Sequence, residues 1–472
     1  LKKFLLLLVF LFSTAAFAED AALRRGMVLL KITPLQIDPS RPWVKNPGAA
    51  VYRPGLVIQG KKILALAGDV QMAALIEVRK YSSSQMRVAR RVMADREADL
   101  ALLECEEDFF SDLQPLPFGA DPVPGNVLRG VRMDALLRFE ASDVSLREVD
   151  VMYITGMTPL AVARGTSIEP FPSGGVLMRQ GRVAGFVFSR EADRNIEFLF
   201  ASHLARFIER SRSAYAGFVS SGFDYEGILD PALKRYYGLA RSGVLVGKVY
   251  PGTTAASGLK PGDVLTVVDG VSIDERGFFE DPSYGRQRLD LLFARSPRGL
   301  RNPGEKMKVR VLRDKKEQDI VLELRRTDGT AIRLPVREEN PAYHVESGLV
   351  FIELSLSYLT TTFGSSHASQ APALSYLFER HRYRESPSEQ KIVILSRVLP
   401  DDVNLGYEDA GGSVLVSANG TAVGSVAELK SLLEKAQGIA RLELRDGRVL
   451  YVDASARQEI NARIKKKYSL PD

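Results

Sequence analysis

The run Gly258-Leu259-Lys260-Pro261-Gly262-Asp263-Val264-Leu265, followed by Val268-Asp269-Gly270, decides how this chain is divided. Pro-Gly-Asp writes a tight turn, Val264–Val268 a short buried strand, and Asp-Gly a two-residue hairpin turn. Upstream lie an apolar strand pattern, Ser242–Val246, and a short helix pattern, Pro231–Tyr237. Downstream, Lys306–Arg313 alternates apolar and charged residues, passes a charged turn and gives a second strand, Ile320–Leu324. These elements predict one small α+β module over residues 217–330. A fainter copy is expected over 343–472, where Ile392–Leu395 and Val414–Ala418 precede Asn419-Gly420 and a helix, Val426–Glu434. On the other side, from Val51 to Phe200, short apolar runs alternate with turn signals and almost no helical period, which predicts a β sandwich or a pair of barrels. The first helix is Ala201–Ser211, with Leu204, Phe207 and Ile208 on one face. Residues 19–48, punctuated by Pro34, Pro39 and Pro42, read as a connecting segment.

Composition narrows the function. The chain has 472 residues, 45% hydrophobic and 26% charged, an ordinary globular balance that allows about three domains. Its net charge of +6 is scattered, so a nucleic-acid partner is not expected. Leu1-Lys2-Lys3, the apolar stretch Phe4–Phe12 and Ala16-Phe17-Ala18 have the three parts of a secretory signal peptide, expected to occupy 1–18. The apolar stretch is nine residues, short of the ~20 a membrane helix needs, so no transmembrane segment is expected after cleavage. A single cysteine, Cys105, excludes an internal disulfide, and its acidic neighbours Glu104, Glu106, Glu107 and Asp108 disfavour a reactive thiolate. The four histidines, His203, His344, His367 and His381, are too dispersed for a metal site; no metal and no cofactor are expected.

The 258–270 motif resembles the PDZ domains of HtrA/Deg-type proteases. The resemblance implies a module that binds an extended peptide as an added strand, with a terminal carboxylate held by backbone amides of a glycine-containing loop. The matching loop is Tyr225-Glu226-Gly227-Ile228, with Glu226 where the family has an apolar residue. Three stretches of the first region then resemble the trypsin-like domain of the same family: Gly55–Ile58 with Ile63-Leu64-Ala65-Leu66-Ala67-Gly68-Asp69-Val70, Asp95-Arg96-Glu97-Ala98-Asp99-Leu100-Ala101-Leu102-Leu103, and Ile168-Glu169-Pro170-Phe171-Pro172-Ser173-Gly174-Gly175. The fold implied is mainly β: a trypsin-like double β-barrel over 49–213 followed by two PDZ-like α+β modules.

Departures from the pattern carry the functional expectation. The catalytic histidine's position is Gly68, and no histidine precedes His203. Serine needs a base to take its proton, so Ser173 is expected to be inert and Asp99 a triad remnant with no imidazole to orient. In a related protease, removing the histidine costs as much as removing the whole triad, on the order of 10⁶ in kcat. The oxyanion-hole positions are Phe171 and Ser173; a bulky Phe171 before Pro172 replaces the family's glycine. Losing one such donor costs about 2.7–4 kcal/mol. His203 reads as a packed helix residue, and Lys61 and Lys62 as solvated turn residues rather than members of a Ser-Lys dyad.

The expectation is an exported, periplasmic or secreted pseudoprotease that binds protein segments or C-termini through its PDZ modules, with a scaffolding, chaperone-like or regulatory role in envelope protein quality control. The family resemblance implies homo-oligomers, trimers or their multiples. An active serine endopeptidase with a rearranged site and a purely structural envelope assembly protein are the alternative readings.

Overall fold

Strand Met27–Asp38 organises the first β domain. Met27 and Leu29 face one apolar cluster with Leu56, Leu64 and Leu100; Val28, Leu30 and Ile32 face another with Val57, Ile63 and Ala65. With both faces buried, the sequence shows an unbroken apolar run where a half-exposed strand would alternate. The strand pairs antiparallel with Val51–Ile58 on one side and Ala73–Arg79 on the other. Residues 19–48 are therefore not a connector: they supply a central strand of the sheet, and the prolines that suggested a linker begin only at Pro34.

The structure, a computed structural model, describes residues 20–154, 156–188, 193–213, 217–238, 242–326, 331–332, 341–381, 384–385 and 391–471. The expected signal peptide lies outside them. The first sheet runs Arg87–Val88, Ala73–Arg79, Met27–Asp38, Val51–Ile58, Lys62–Leu66, Leu100–Glu104, Arg90–Asp95. The second is a closed six-stranded barrel, Phe139–Met152, Leu160–Phe171, Asp193–Phe200, Arg182–Val187, Val176–Arg179, Val127–Met133. One apolar cluster holds residues of both, Leu56, Leu64 and Leu102 with Val162, Val176 and Phe186, so the sheet and the barrel share a core. Helix Ala201–Arg210 buries Leu204, Phe207 and Ile208 in the same cluster.

The chain forms two compact units, one of residues 1–34 and 48–328, the other of 35–47 and 329–472. In the first, a PDZ-like sheet follows the barrels, ordered Phe223–Gly227, Val244–Val249, Val264–Val268, Lys306–Arg313, Lys316–Glu323. The 258–270 motif earns its residues here. Asp263 is buried, accepts the Lys260 amide at 2.8 Å and holds Arg313 on the next strand through bonds of 2.6 and 2.7 Å. Gly262 makes the turn with φ +91°. The C-terminal unit repeats the order with Leu349–Glu353, Val393–Val398, Ser413–Ala418, Ile439–Leu444 and Val449–Asp453, and adds one strand, Tyr343–Glu346, outside Leu349–Glu353. Among the described residues no helix is long and apolar enough to cross a bilayer.

Candidate functional site

The short helix Ala67–Val70 begins where the family's histidine would stand. The Gly68 amide donates to Asp99 Oδ1 at 2.6 Å, and the Ala67 amide donates to the Asp99 carbonyl at 3.1 Å. Asp99 is buried and left-handed, with φ +52°, a conformation aspartate tolerates better than most residues. Its carboxylate meets the positive end of a helical turn, so this aspartate has a structural task independent of any imidazole.

Ser173 is buried, 3% exposed. Gly174 follows with φ +81°; its amide donates to the Val187 carbonyl at 2.7 Å, and a Cβ there would fall 2.9 Å from Pro54 Cδ in the first sheet. Phe171 ends strand Leu160–Phe171, and its ring is fully buried among Val144, Leu177, Ala184 and Ile196. A side chain at Gly130 would meet this ring at 2.7 Å, and Gly175 is packed against it as well. The Phe171 ring thus belongs to the second barrel's core. The strand slips register between Thr166 and Phe171, leaving Ile168 77% exposed beside it.

The imidazole that sequence order leaves as a candidate, His203, is 1% exposed in helix Ala201–Arg210. Its ring stacks on Phe200 at 6.4 Å and lies 5.9 Å from Phe218, and Nδ1 has no hydrogen-bond partner. Burial, with a smaller contribution from the Arg295 charge, pushes its pKa down to about 3. It is the packed, neutral helix residue the sequence suggests.

The four residues of the expected peptide loop divide. Tyr225, Glu226 and Gly227 lie in strand Phe223–Gly227, the outermost strand of its sheet among the described residues, opposite Val246, Leu245 and Val244. The Ile228 amide, the donor that would face a ligand carboxylate, instead donates to the Glu275 carbonyl at 2.9 Å. A Cβ at Gly227 would sit 2.8 Å from that same oxygen, so only glycine admits this close approach. Ile228 is buried against Val264 and Leu312. Tyr225 Oη–H donates to Asp290 Oδ2 at 2.8 Å, and Tyr153 of the second barrel donates to Asp290 Oδ1 at 2.5 Å. Burial, then the Asp290 charge, raises both phenol pKa values. Glu275, Asp290 and Tyr153 carry no signal in the sequence; contact across more than 45 residues reveals them.

In the C-terminal unit the strand equivalent to Phe223–Gly227 is Leu349–Glu353, and Tyr343–Glu346 already pairs with it. The turn between them, Ser347-Gly348, has φ +51° and +82°. The Ser347 amide donates to Asn461 Oδ1 at 2.8 Å, and the Ser347 carbonyl accepts Asn404 Nδ2–H at 2.9 Å. The stretch 348–351 therefore packs internally. Among the described residues no cluster of His, Cys, Asp and Glu could hold a metal ion.

A PDZ domain family profile matches residues 332–472. The chain is similar to Putative protease Do-like 13 of Arabidopsis thaliana, 25% identical over 450 residues, covering 91% of this chain and 84% of that protein. It is similar to Protease Do-like 4, mitochondrial (25%, 91% and 81%) and to Protease Do-like 2, chloroplastic (26%, 96% and 75%) of the same organism. Among solved structures, HtrA-type protease AlgW with decapeptide covers 65% of this chain and 98% of its own, at 17% identity and a TM-score of 0.46. With a β sheet and a closed barrel sharing one core, a PDZ-like sheet after them and a PDZ match at residues 332–472, the chain resembles the HtrA/Deg-type serine proteases.

Proposed function

We propose that this chain is a non-hydrolytic member of its family that binds protein segments, with a scaffolding, chaperone-like or regulatory task in an exported compartment. The observation that carries the reading is Gly68 beside Asp99: the residue whose amide meets the aspartate carboxylate at 2.6 Å, where the family's histidine would stand, has no side chain to act as a base. Phe171, committed to the barrel core, and Ser173, 3% exposed, support the same conclusion. For binding, the strand at the sheet edge among the described residues, Phe223–Gly227, suits addition of a peptide strand. Capture of a terminal carboxylate is disfavoured, because Glu275 holds the Ile228 amide. Internal segments of unfolded proteins are therefore the ligands of this reading, and homo-oligomers of three or a multiple of three belong to it.

The test is hydrolysis and labelling. Purified full-length chain is incubated with unfolded casein and, separately, with a fluorophosphonate probe, alongside Ser173→Ala and Gly68→His. The expected result is no Ser173-dependent cleavage or labelling in the parent chain, and none in Gly68→His, since an added imidazole leaves Phe171 and Ser173 where they are. Labelling of the parent at Ser173 overturns the proposal and favours a rearranged, active endopeptidase.

A further inference from the structure

Hairpin Leu35–Pro47 groups with the C-terminal unit although residues 27–34 of the same strand belong to the first sheet. It is a self-contained ribbon: Leu35 pairs with Pro47, Gln36 with Asn46, Ile37 with Lys45 and Asp38 with Arg41. Its turn is fixed by one carboxylate. Asp38 Oδ1 accepts the Ser40 amide at 2.9 Å and the Ser40 hydroxyl at 2.7 Å, while Oδ2 accepts Arg41 Nε–H at 2.7 Å. Loop tips ordinarily face water, yet Pro39 and Pro42 at this tip are buried. The residues between and beside them contact the rest of unit 2: Trp43, the only tryptophan of the chain, packs 5.6 Å from the Tyr343 ring at 47°, and the Ser40 carbonyl accepts Ser396 Oγ–H at 3.3 Å. Trp43 and Tyr343 both pack on the cluster of Val350, Ile352 and Tyr358. Among the described residues the hairpin pairs with no strand of the unit's own sheet, so side-chain packing and the bond to the Ser40 carbonyl seat it.

We propose that residues 35–47 are a structural part of the second PDZ-like unit, which is thereby assembled from two separate stretches of sequence, and that the face around Tyr343 and Ser396 is a receptor for this one hairpin of the same chain. The occupant is specified by fit. A ribbon with its turn already set loses little freedom on docking, and one large aromatic ring supplies the anchor that such a face requires. The face is no peptide groove, since the strand that would lie in one, Tyr343–Glu346, is itself part of the receptor.

Hydrogen exchange followed by mass spectrometry on the full-length chain tests this. Trp43→Ser should raise exchange about tenfold or more in segments 343–353 and 393–398, and Tyr343→Ser should do the same in 35–47, with strand Lys306–Arg313 unchanged in both. Unchanged protection of 343–353 in Trp43→Ser, or a uniform rise across the whole chain, overturns the proposal. The donor is identified with Ser40→Cys/Ser396→Cys in a Cys105→Ser background, treated with a short bismaleimide. Cross-linked monomer supports the same-chain assignment; cross-linked dimer assigns the hairpin to a second copy, and absence of any cross-link refutes the docking, so either of these overturns it.

Discussion

Acidification should loosen the helix that carries His203, and the size of the effect follows from its burial. In the folded chain the imidazole sits at about 3, far below its ordinary value, because it is buried between Phe200 and Phe218 with Arg295 adding repulsion. In the unfolded chain it titrates near ~6.5. Between these values the unfolded state binds the extra proton, so stability is present above about pH 6.5 and falls as the pH drops toward 3. From pH 7 to pH 5 the loss is about 2 kcal/mol, and by pH 3 it reaches about 4 kcal/mol. The assay is hydrogen exchange of the amides of helix Ala201–Arg210 at pH 7, 6 and 5, corrected for intrinsic rates, in the parent chain and in His203→Phe. The phenylalanine variant keeps an aromatic ring in the stack and removes the proton site. Its opening free energy should vary with pH by about 2 kcal/mol less than the parent's over this range. Parallel pH profiles for the two proteins would show that His203 is protonated or solvated in the folded state and would refute the reasoning.

Phe171→Ala should cost about 3–5 kcal/mol, because the ring is fully buried and Gly130 and Gly175 have no side chains to fill its space; a thermal melt of the full chain should show the loss, and an unchanged midpoint would place the ring outside the core. Asp263→Asn should destabilise the first PDZ-like sheet by about 3–5 kcal/mol by leaving Arg313 without its carboxylate partner. Denaturant unfolding of this variant against Asp263→Asn/Arg313→Met should show partial recovery in the double variant, and additive losses would mean the pair is not coupled.

What the sequence made legible was the chemistry of turns and the absence of one side chain. Gly262 and Asp263 stand where only a left-handed turn and a buried carboxylate fit, and Gly68 is a visible gap in a familiar pattern. Long strands were harder to see. In Phe139–Met152 the buried positions run Val144, Leu146, then Val149, Val151, because a bulge between Leu146 and Glu148 shifts the period of two by one residue. Met27–Leu30 hid for the opposite reason, both of its faces being buried. The stretch Tyr225–Ile228 does run along the sheet edge, but the contact that occupies the Ile228 amide comes from Glu275, 47 residues further on, and local pattern cannot report such a closure. Phe171 stands out in the sequence only as a bulky residue in place of a glycine; the structure gives it a positive role as core.

Asp99 keeps two amides of a helical turn in place, and that duty persists whether or not a proton is ever relayed through it. An aspartate before Leu-Ala-Leu-Leu therefore does not by itself report proteolysis, since holding that helical turn already gives the acid a task.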